Sequence, residues 1–346
     1  MKPSILIIYT GGTIGMVKHP KSGTLIPFDF EHINDQVPEL ERFDFNIDSI
    51  SFNSVIDSSD FKPSTWIDLV KIIQDNYSKY DGFVILHGTD TMAYTASALS
   101  FLLENINKPV ILTGSQLPIA EIRTDAKENL ITAIEIAASK SNGKPIVPEV
   151  CIFFDSRLFR GNRTRKSNSS KFDAFESPNY SHLAEAGVKI TYHHTYIQPH
   201  SDATFISHTN LDLNVALLKL YPGITKEFVT SVINTNGLKA LIIEAFGNGN
   251  APTDDWFIDL LKQAIQSGII ILDISQCAGG MVELGRYQTS IRLKEIGVTG
   301  GMDMTTETAL TKLMFLLAQN HSAETIKALL QQSLRGEISE LMIDDR

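Results

Sequence analysis

Cysteine is scarce in this chain: two among 346 residues, Cys151 and Cys277. No paired framework and no metal-ligand spacing can be built from them, which fits a reducing compartment. Cys151 lies in the apolar run Val150-Cys151-Ile152-Phe153-Phe154, where burial is its expected role, and Cys277 ends another strand-like run that could border a pocket. Long hydrophobic runs are missing too; none approaches the roughly 18 residues needed to span a bilayer. Lys2-Pro3-Ser4 precedes only a short apolar run with no small-residue cleavage site after it, so the start reads as a first strand rather than a secretory leader. A soluble, cytoplasmic protein is expected. Cations are outnumbered, 30 against 40 acidic residues for a net charge of −10, which argues against a nucleic-acid or anionic-membrane partner. The nine histidines form no obvious metal motif, and His193-His194 reads as a solvated pair or a strand end. There is no tandem repeat, no low-complexity segment and no phosphate-binding G-x-x-x-x-G-K-[ST] loop. A dinucleotide fingerprint at Gly12 and Gly15 is broken by Thr10 where its first glycine belongs.

What is present is a repeated ending. Ile5-Leu6-Ile7-Ile8-Tyr9 runs into Thr10-Gly11-Gly12-Thr13-Ile14-Gly15, and Gly82-Phe83-Val84-Ile85-Leu86 runs into His87-Gly88-Thr89-Asp90-Thr91. Each is a short apolar run, readable as a buried parallel strand, that stops at glycines followed by threonine. Ligands of open α/β sheets bind outside the carboxyl ends of the strands. Two threonine hydroxyls are therefore expected on one rim. A tight turn accounts for Gly11 and Gly12 but leaves the polar Thr13 unexplained.

Strand and helix signals alternate through the first half. Residues 50–57 lead as a strand to Asp57-Ser58-Ser59-Asp60. Pro63-Ser64 opens a helix with Trp66, Leu69, Val70, Ile73 and Tyr77 on one face; a helix over 92–104, a strand at 109–112, a helix over 125–139 and a strand at 149–154 are expected in turn. Gly15, Pro20, Gly23 and Pro27 mark a loop over the strand ends, a plausible lid. Residues 160–171 carry five cations, which as a charge run reads first as a solvated loop, although it follows a strand end and one cation could face a pocket. In the second half, strands are expected at 215–218, 240–246 and 268–274, with helices near 253–267, 306–319 and 323–334. The fold class is α/β with two domains. A larger N-terminal domain, 1–195, has a flavodoxin/Rossmann-like, mostly parallel sheet; a linker, 196–214, leads to a smaller C-terminal α/β domain, 215–346.

A hydroxyl needs a base to become a nucleophile at neutral pH, and paired threonines with an acid and a base supply that chemistry. Thr89-Asp90 with Lys166 is one such set, since burial can bring a lysine into range as a proton acceptor. Spacing alone does not bring the three into contact.

These residues carry a resemblance. Thr10-Gly11-Gly12-Thr13-Ile14-Gly15 and His87-Gly88-Thr89-Asp90-Thr91-Met92 look like the two signature motifs of the bacterial-type L-asparaginases. The likeness extends over nearly the whole chain, through Asp57-Ser58-Ser59-Asp60, Arg160-Gly161-Asn162-Arg163-Thr164, Gly249-Asn250-Ala251-Pro252 and Gly300-Gly301-Met302-Asp303-Met304-Thr305. Tyr94-Thr95-Ala96-Ser97-Ala98-Leu99-Ser100-Phe101 most resembles the cytoplasmic, type I branch. The resemblance implies hydrolysis of L-asparagine to L-aspartate and ammonia through an acyl-threonine, with no metal or organic cofactor. It implies Thr13 as nucleophile and Thr89, Asp90 and Lys166 as the proton-handling group. Ser58, Ser59, Gly88 and Asp90 then hold the substrate, and the backbone amide of Thr89 faces the oxyanion. Asn250 matches an asparagine that reaches into a neighbouring subunit's site, so a homodimer or homotetramer is implied. Alternatives are an asparaginase-like subunit of a tRNA-dependent amidotransferase, which needs an extension before the first motif, and a non-catalytic asparagine sensor.

Two departures stand out. Many members place a tyrosine in the loop after the first threonine, whereas here the loop reads Gly23-Thr24-Leu25-Ile26-Pro27; Tyr287 matches a type I tyrosine near the same site. Some type I enzymes also bind asparagine at a separate activating site. Glu244 stands where an arginine helps form it, and Arg165 where a threonine is usual, so that activation is expected to be absent or rebuilt with Arg165.

Overall fold

The structure, a computed structural model, describes residues 2–18, 25–27 and 37–339. The chain divides into two compact units, Met1–Ser177 with Ser181–Thr209, and Pro178–Tyr180 with Asn210–Arg346. The stretch expected as a linker is bonded into the first unit through Ile206–Ser207, which pairs with Leu103–Glu104.

The first unit is built on eight strands: β1 (Ser4–Tyr9), β2 (Asn46–Ser51), β3 (Gly82–Leu86), β4 (Val110–Thr113), β5 (Val150–Phe154), β6 (Arg157–Arg160), β7 (Ala184–Ala186) and β8 (Ile190–Tyr192). Their spatial order is β8-β7-β6-β5-β4-β3-β1-β2. The pairs from β2 to β5 are parallel and those from β5 to β8 antiparallel. The central strands are buried along their length, which is why they read as unbroken apolar runs. β2, at the edge, has polar side chains alternating outward. Helices α1 (Pro63–Asn76), α2 (Met92–Leu102) and α3 (Ala126–Ala138) cross between parallel strands. α1 starts on proline at its first turn and buries Trp66, Leu69, Val70 and Ile73. α2 is built of small and apolar residues, nearly all of them buried.

The order β2-β1-β3-β4-β5 is the flavodoxin-like arrangement, and its direction reverses between β1 and β3. Both threonine turns leave the carboxyl ends of these two strands, which are register-locked with Tyr9 opposite Leu86. Residues 16–18 and 25–27 form a short antiparallel pair; Pro20 and Gly23 of the expected lid fall outside the described residues.

The cationic stretch is a solvated loop only in its later part, where residues 167–171 are mostly exposed. Arg160 and Arg163 are buried, and Arg160 Nε lies 2.7 Å from Glu149 Oε2, both side chains about 5% exposed. Glu149 also accepts from the amide of Gln198. A charge run read from sequence carries no sign of a partner eleven residues upstream.

The second unit has a wholly parallel sheet of β9 (Val215–Lys219), β10 (Ala240–Ala245), β11 (Ile270–Ser275) and β12 (Thr299–Gly300), in that order. Its helices are α4 (Lys226–Ile233), α5 (Asp255–Gln266), α6 (Gln288–Ile296), α7 (Thr306–Leu317) and α8 (Ala323–Leu330). Leu241, Ile243, Ile271, Phe257, Leu261 and Leu293 belong to one core, with Trp256 packed against it. Sequence periodicity missed α4 and α6. Beyond α8 the chain is fastened by Lys312 and Glu337, fully buried with Nζ 2.6 Å from Oε1. Lys312 also donates to the Gln332 carbonyl, and Glu337 accepts from the amides of Leu334 and Arg335. Asp273 on β11 is the opposite case: it is fully buried, and among the described residues neither carboxylate oxygen has a hydrogen-bond partner. Burial alone pushes its pKa up to about 8. One of its oxygens lies 2.8 Å from where a Cβ on Gly249 would sit. Among the described residues no helix is long and apolar enough to cross a membrane, and Cys151 and Cys277 are both free.

Candidate active site

The site in the first unit is assembled by backbone before any side chain takes part. At the end of β1, Thr10 donates to the Leu86 carbonyl through both its amide and its hydroxyl, 3.1 and 2.9 Å. The chain then turns at Gly12, with φ of 87°, into a single helical turn, Thr13–Gly15. A Cβ on Gly12 would lie 2.5 Å from the Gly88 nitrogen, and a Cβ on Gly88 would lie 2.5 Å from Ser58 Oγ. Glycine at both places lets the two threonine turns and the serine segment close on one another. Tyr9, buried at the end of β1, donates its hydroxyl to the Gly15 carbonyl and braces the turn that presents Thr13; burial raises its pKa to about 12. Thr13 itself is half-buried.

On the β3 side, Lys166 joins the group. It stands in a two-residue strand, Arg165–Lys166, paired with Phe175–Glu176. Its Nζ lies 2.8 Å from Thr89 Oγ1 and 2.6 Å from Asp90 Oδ1. The Lys166 side chain is 16% exposed and that of Asp90 is 64% exposed, so the amine is sheltered while the carboxylate faces out. Ser58, nearly buried, accepts from the Asp90 amide at 3.3 Å, and its carbonyl accepts from the Thr91 hydroxyl at 2.7 Å. The expected strand over 50–57 ends at Ser51, and Ser58–Asp60 is a single helical turn. Asp57 accepts from both the amide and the hydroxyl of Ser59, which holds its carboxyl below the usual range. Ser59 is exposed and its hydroxyl is committed to Asp57.

Beneath Thr89 lies a buried polar chain that sequence reasoning missed. The Trp66 indole donates to Thr95 Oγ1 at 3.0 Å, Thr95 Oγ1 is 2.8 Å from His87 Nε2, and His87 Nδ1 is 2.7 Å from the Gly88 carbonyl. A carbonyl only accepts, so Nδ1 carries the imidazole proton and Nε2 accepts from the threonine. Complete burial holds His87 neutral, with a pKa lowered to about 4, and Phe61 packs on its ring. Carbonyl and amide of a trans peptide point in opposite directions. Fixing the Gly88 carbonyl therefore fixes where the Thr89 N–H points. His87 stands in the motif, but only the fold shows that Thr95 and Trp66, on two different helices, complete its bonding.

The structure thus brings Ser58, Gly88, Thr89, Asp90 and Lys166 together and packs the Thr13 turn on them. Asn250 and Tyr287 belong to the second unit. There Asn250 closes a turn through Phe246, and its side-chain oxygen accepts from Thr289 Oγ1 at 2.5 Å, tying it to the start of α6. Tyr287 precedes that helix and is 47% exposed, with the Arg286 guanidinium 5.7 Å over its ring. Glu244 is almost buried and accepts from Thr306 and Lys219, at 2.5 and 3.2 Å, while Arg165 lies 3.8 Å from Glu176.

A flavodoxin-like sheet with hydroxyl, amine and carboxylate at its switch point defines a class, the α/β enzymes. Comparison with known proteins makes the class particular. Residues 4–198 match the family model "Asparaginase, N-terminal" and residues 214–330 match "Glutaminase/Asparaginase C-terminal domain". The chain belongs to the asparaginase family. It is 43% identical to L-asparaginase 1 of Escherichia coli over 341 residues, 98% of each chain. The solved L-asparaginase I of Vibrio cholerae superposes with a TM-score of 0.89 at 41% identity, covering 98% of this chain and 100% of that one. The thermostable L-asparaginase of Thermococcus kodakarensis, at 30% identity, superposes with the same TM-score of 0.89 over 97% of this chain and 99% of its own.

Proposed function

We propose that this protein hydrolyses L-asparagine to L-aspartate and ammonia. The observation that carries the reading is the sheltered Lys166 amine in hydrogen-bond reach of both the Thr89 hydroxyl and the Asp90 carboxylate, on a turn packed against the one that presents Thr13. In the reading we favour, Thr13 Oγ adds to the side-chain carbonyl carbon of asparagine. Its proton passes to the Thr89–Lys166 pair and on to the departing nitrogen. The C–N bond breaks, ammonia leaves, and an aspartyl ester remains on the threonine. Water, deprotonated by the same pair, cleaves the ester and frees aspartate. The Thr89 amide, aimed by His87, donates to the oxyanion; fixed donors of this kind are worth about 3–4 kcal/mol each. Ser58 and Asp90 take the substrate's α-carboxylate and α-ammonium, joined by Ser59 when its hydroxyl turns from Asp57. We further propose that Asn250 and Tyr287 complete the site of a neighbouring copy, in a homodimer or homotetramer, and that the protein works in the cytoplasm. Glu244 puts a carboxylate there that already pairs with Lys219, which disfavours an activating amino-acid carboxylate, so a hyperbolic rate curve is expected.

The test is ammonia release from L-asparagine by wild type, Thr13→Ala and Thr89→Ala. Turnover by wild type with at least a hundredfold loss in both variants supports the reading. A wild type that binds asparagine without turning it over replaces the reading with a sensor.

A further inference from the structure

At the far edge of the first unit's sheet, the backbone gathers three metal-ligand side chains that lie well apart in sequence. β7 and β8 pair with Ala184 opposite Tyr192 and Glu185 opposite Thr191. The ladder runs on by one more bond, from the His193 amide to the Leu183 carbonyl at 2.8 Å. His182, just before β7, and His193, just after β8, are thereby held at the same open end of the hairpin. Their rings meet edge to face with centroids 4.8 Å apart, and His182 Nε2 lies 3.8 Å from Glu185 Oε2. One ligand atom from each of His182, Glu185 and His193 falls within 4.8 Å of the other two. The pair His193-His194, read from sequence as solvated or as a strand end, is split by this geometry, and His193 turns to a histidine eleven residues upstream.

We propose that His182, Glu185 and His193 form a binding site for one divalent transition-metal ion of the zinc class. Two imidazoles and a carboxylate suit Zn2+, which takes such ligands at about 2.0–2.2 Å and accepts water as a fourth ligand. A tetrahedral ion of that size sets its ligand atoms about 3.3–3.5 Å apart, so a rotamer adjustment of the exposed Glu185 and half-exposed His193 closes the gap. A second observation points the same way. Among the described residues His182 Nε2 is shielded from solvent and has no hydrogen-bond partner, as suits a nitrogen that ligates a metal. One neighbour opposes the site: Arg157 on β6 stands opposite Glu185 in the adjoining ladder, and its charge acts on His182.

The ion would clamp the open end of the outermost hairpin. It would not act in hydrolysis, because β6, β5 and β4 lie between β7 and β3, about 19 Å at the usual strand spacing. This proposal is independent of the reading of the threonine site.

The experiment titrates Zn2+ into full-length protein that carries no polyhistidine tag and has been stripped with chelator and desalted. Binding is followed by calorimetry, and Co2+ is added in parallel to read ligand-field absorption. One equivalent bound by wild type, weakened at least tenfold in both His182→Ala and His193→Ala, supports the site. Arg157→Ala should bind more tightly than wild type, which a merely packed cluster would not show. Absence of stoichiometric binding, or equal affinity in wild type and both histidine variants, overturns it. Should either variant fail a circular-dichroism check of folding, Glu185→Gln and Arg157→Ala decide: the first must weaken binding and the second strengthen it.

Discussion

Asp273→Asn should make this protein more stable in alkali and leave it nearly unchanged in acid. Among the described residues Asp273 has no partner for either oxygen, and it is screened from water, so its proton is retained up to about pH 8, whereas in the unfolded chain it is lost near 3.8. The folded value is the higher one. The stability contributed by keeping the proton is thus fully present below about 3.8 and is lost as pH rises towards 8. At about 1.36 kcal/mol per unit, the loss is roughly 1–2 kcal/mol at pH 5 and roughly 5 kcal/mol at pH 8. Asparagine keeps the shape and brings its own unpaired polar atoms, but it cannot ionise, so its cost is the same at every pH. Urea denaturation of wild type and Asp273→Asn, followed by circular dichroism at both pH values with equal m-values, reads the difference directly. The variant should gain about 3–4 kcal/mol on wild type between pH 5 and pH 8. Curves that stay parallel across that range would refute the reasoning, and would mean that Asp273 finds a partner when charged.

Three other outcomes follow from the same kind of accounting. Thr95→Val removes the acceptor of the Trp66 indole and the donor to His87 at once; unmet buried groups cost about 1–3 kcal/mol each, so thermal unfolding should move down and ammonia release should fall through kcat more than KM. Gly12→Ala places a Cβ 2.5 Å from the Gly88 nitrogen at a φ of 87°, and should abolish turnover even if the protein remains folded by circular dichroism. Lys312→Met strands a buried Glu337 and should cost about 3–5 kcal/mol in denaturant titration, with Lys312→Met/Glu337→Leu recovering most of it.

Much of the fold could be read from local pattern. The buried strands β1, β3, β4 and β5 and the one-sided helix α1 are apolar at the spacings that sheets and helices impose, and glycine followed by threonine marked where two strands stop. The site was legible in part for the same reason, since Thr13 and Thr89 sit on turns whose sequence is unlike a plain turn. The reach of Lys166 to Thr89 spans 77 residues and depends on a two-residue strand that no period announces. Arg160 looked solvated because sequence shows charge without showing Glu149. Asp273 and the chain from Trp66 to Gly88 were illegible, because their character lies in what surrounds them and not in what they are.

That chain through Trp66 has an optical consequence. The protein has only two tryptophans, Trp66 in the first unit and Trp256 in the second. Trp66 donates to the threonine that fixes His87, so its emission should respond to disturbance of the turn that carries Thr89, while Trp256, packed on the second unit's core, should report on that unit alone. Replacing either one by phenylalanine turns the chain into a single-channel fluorophore for one unit, with no label attached.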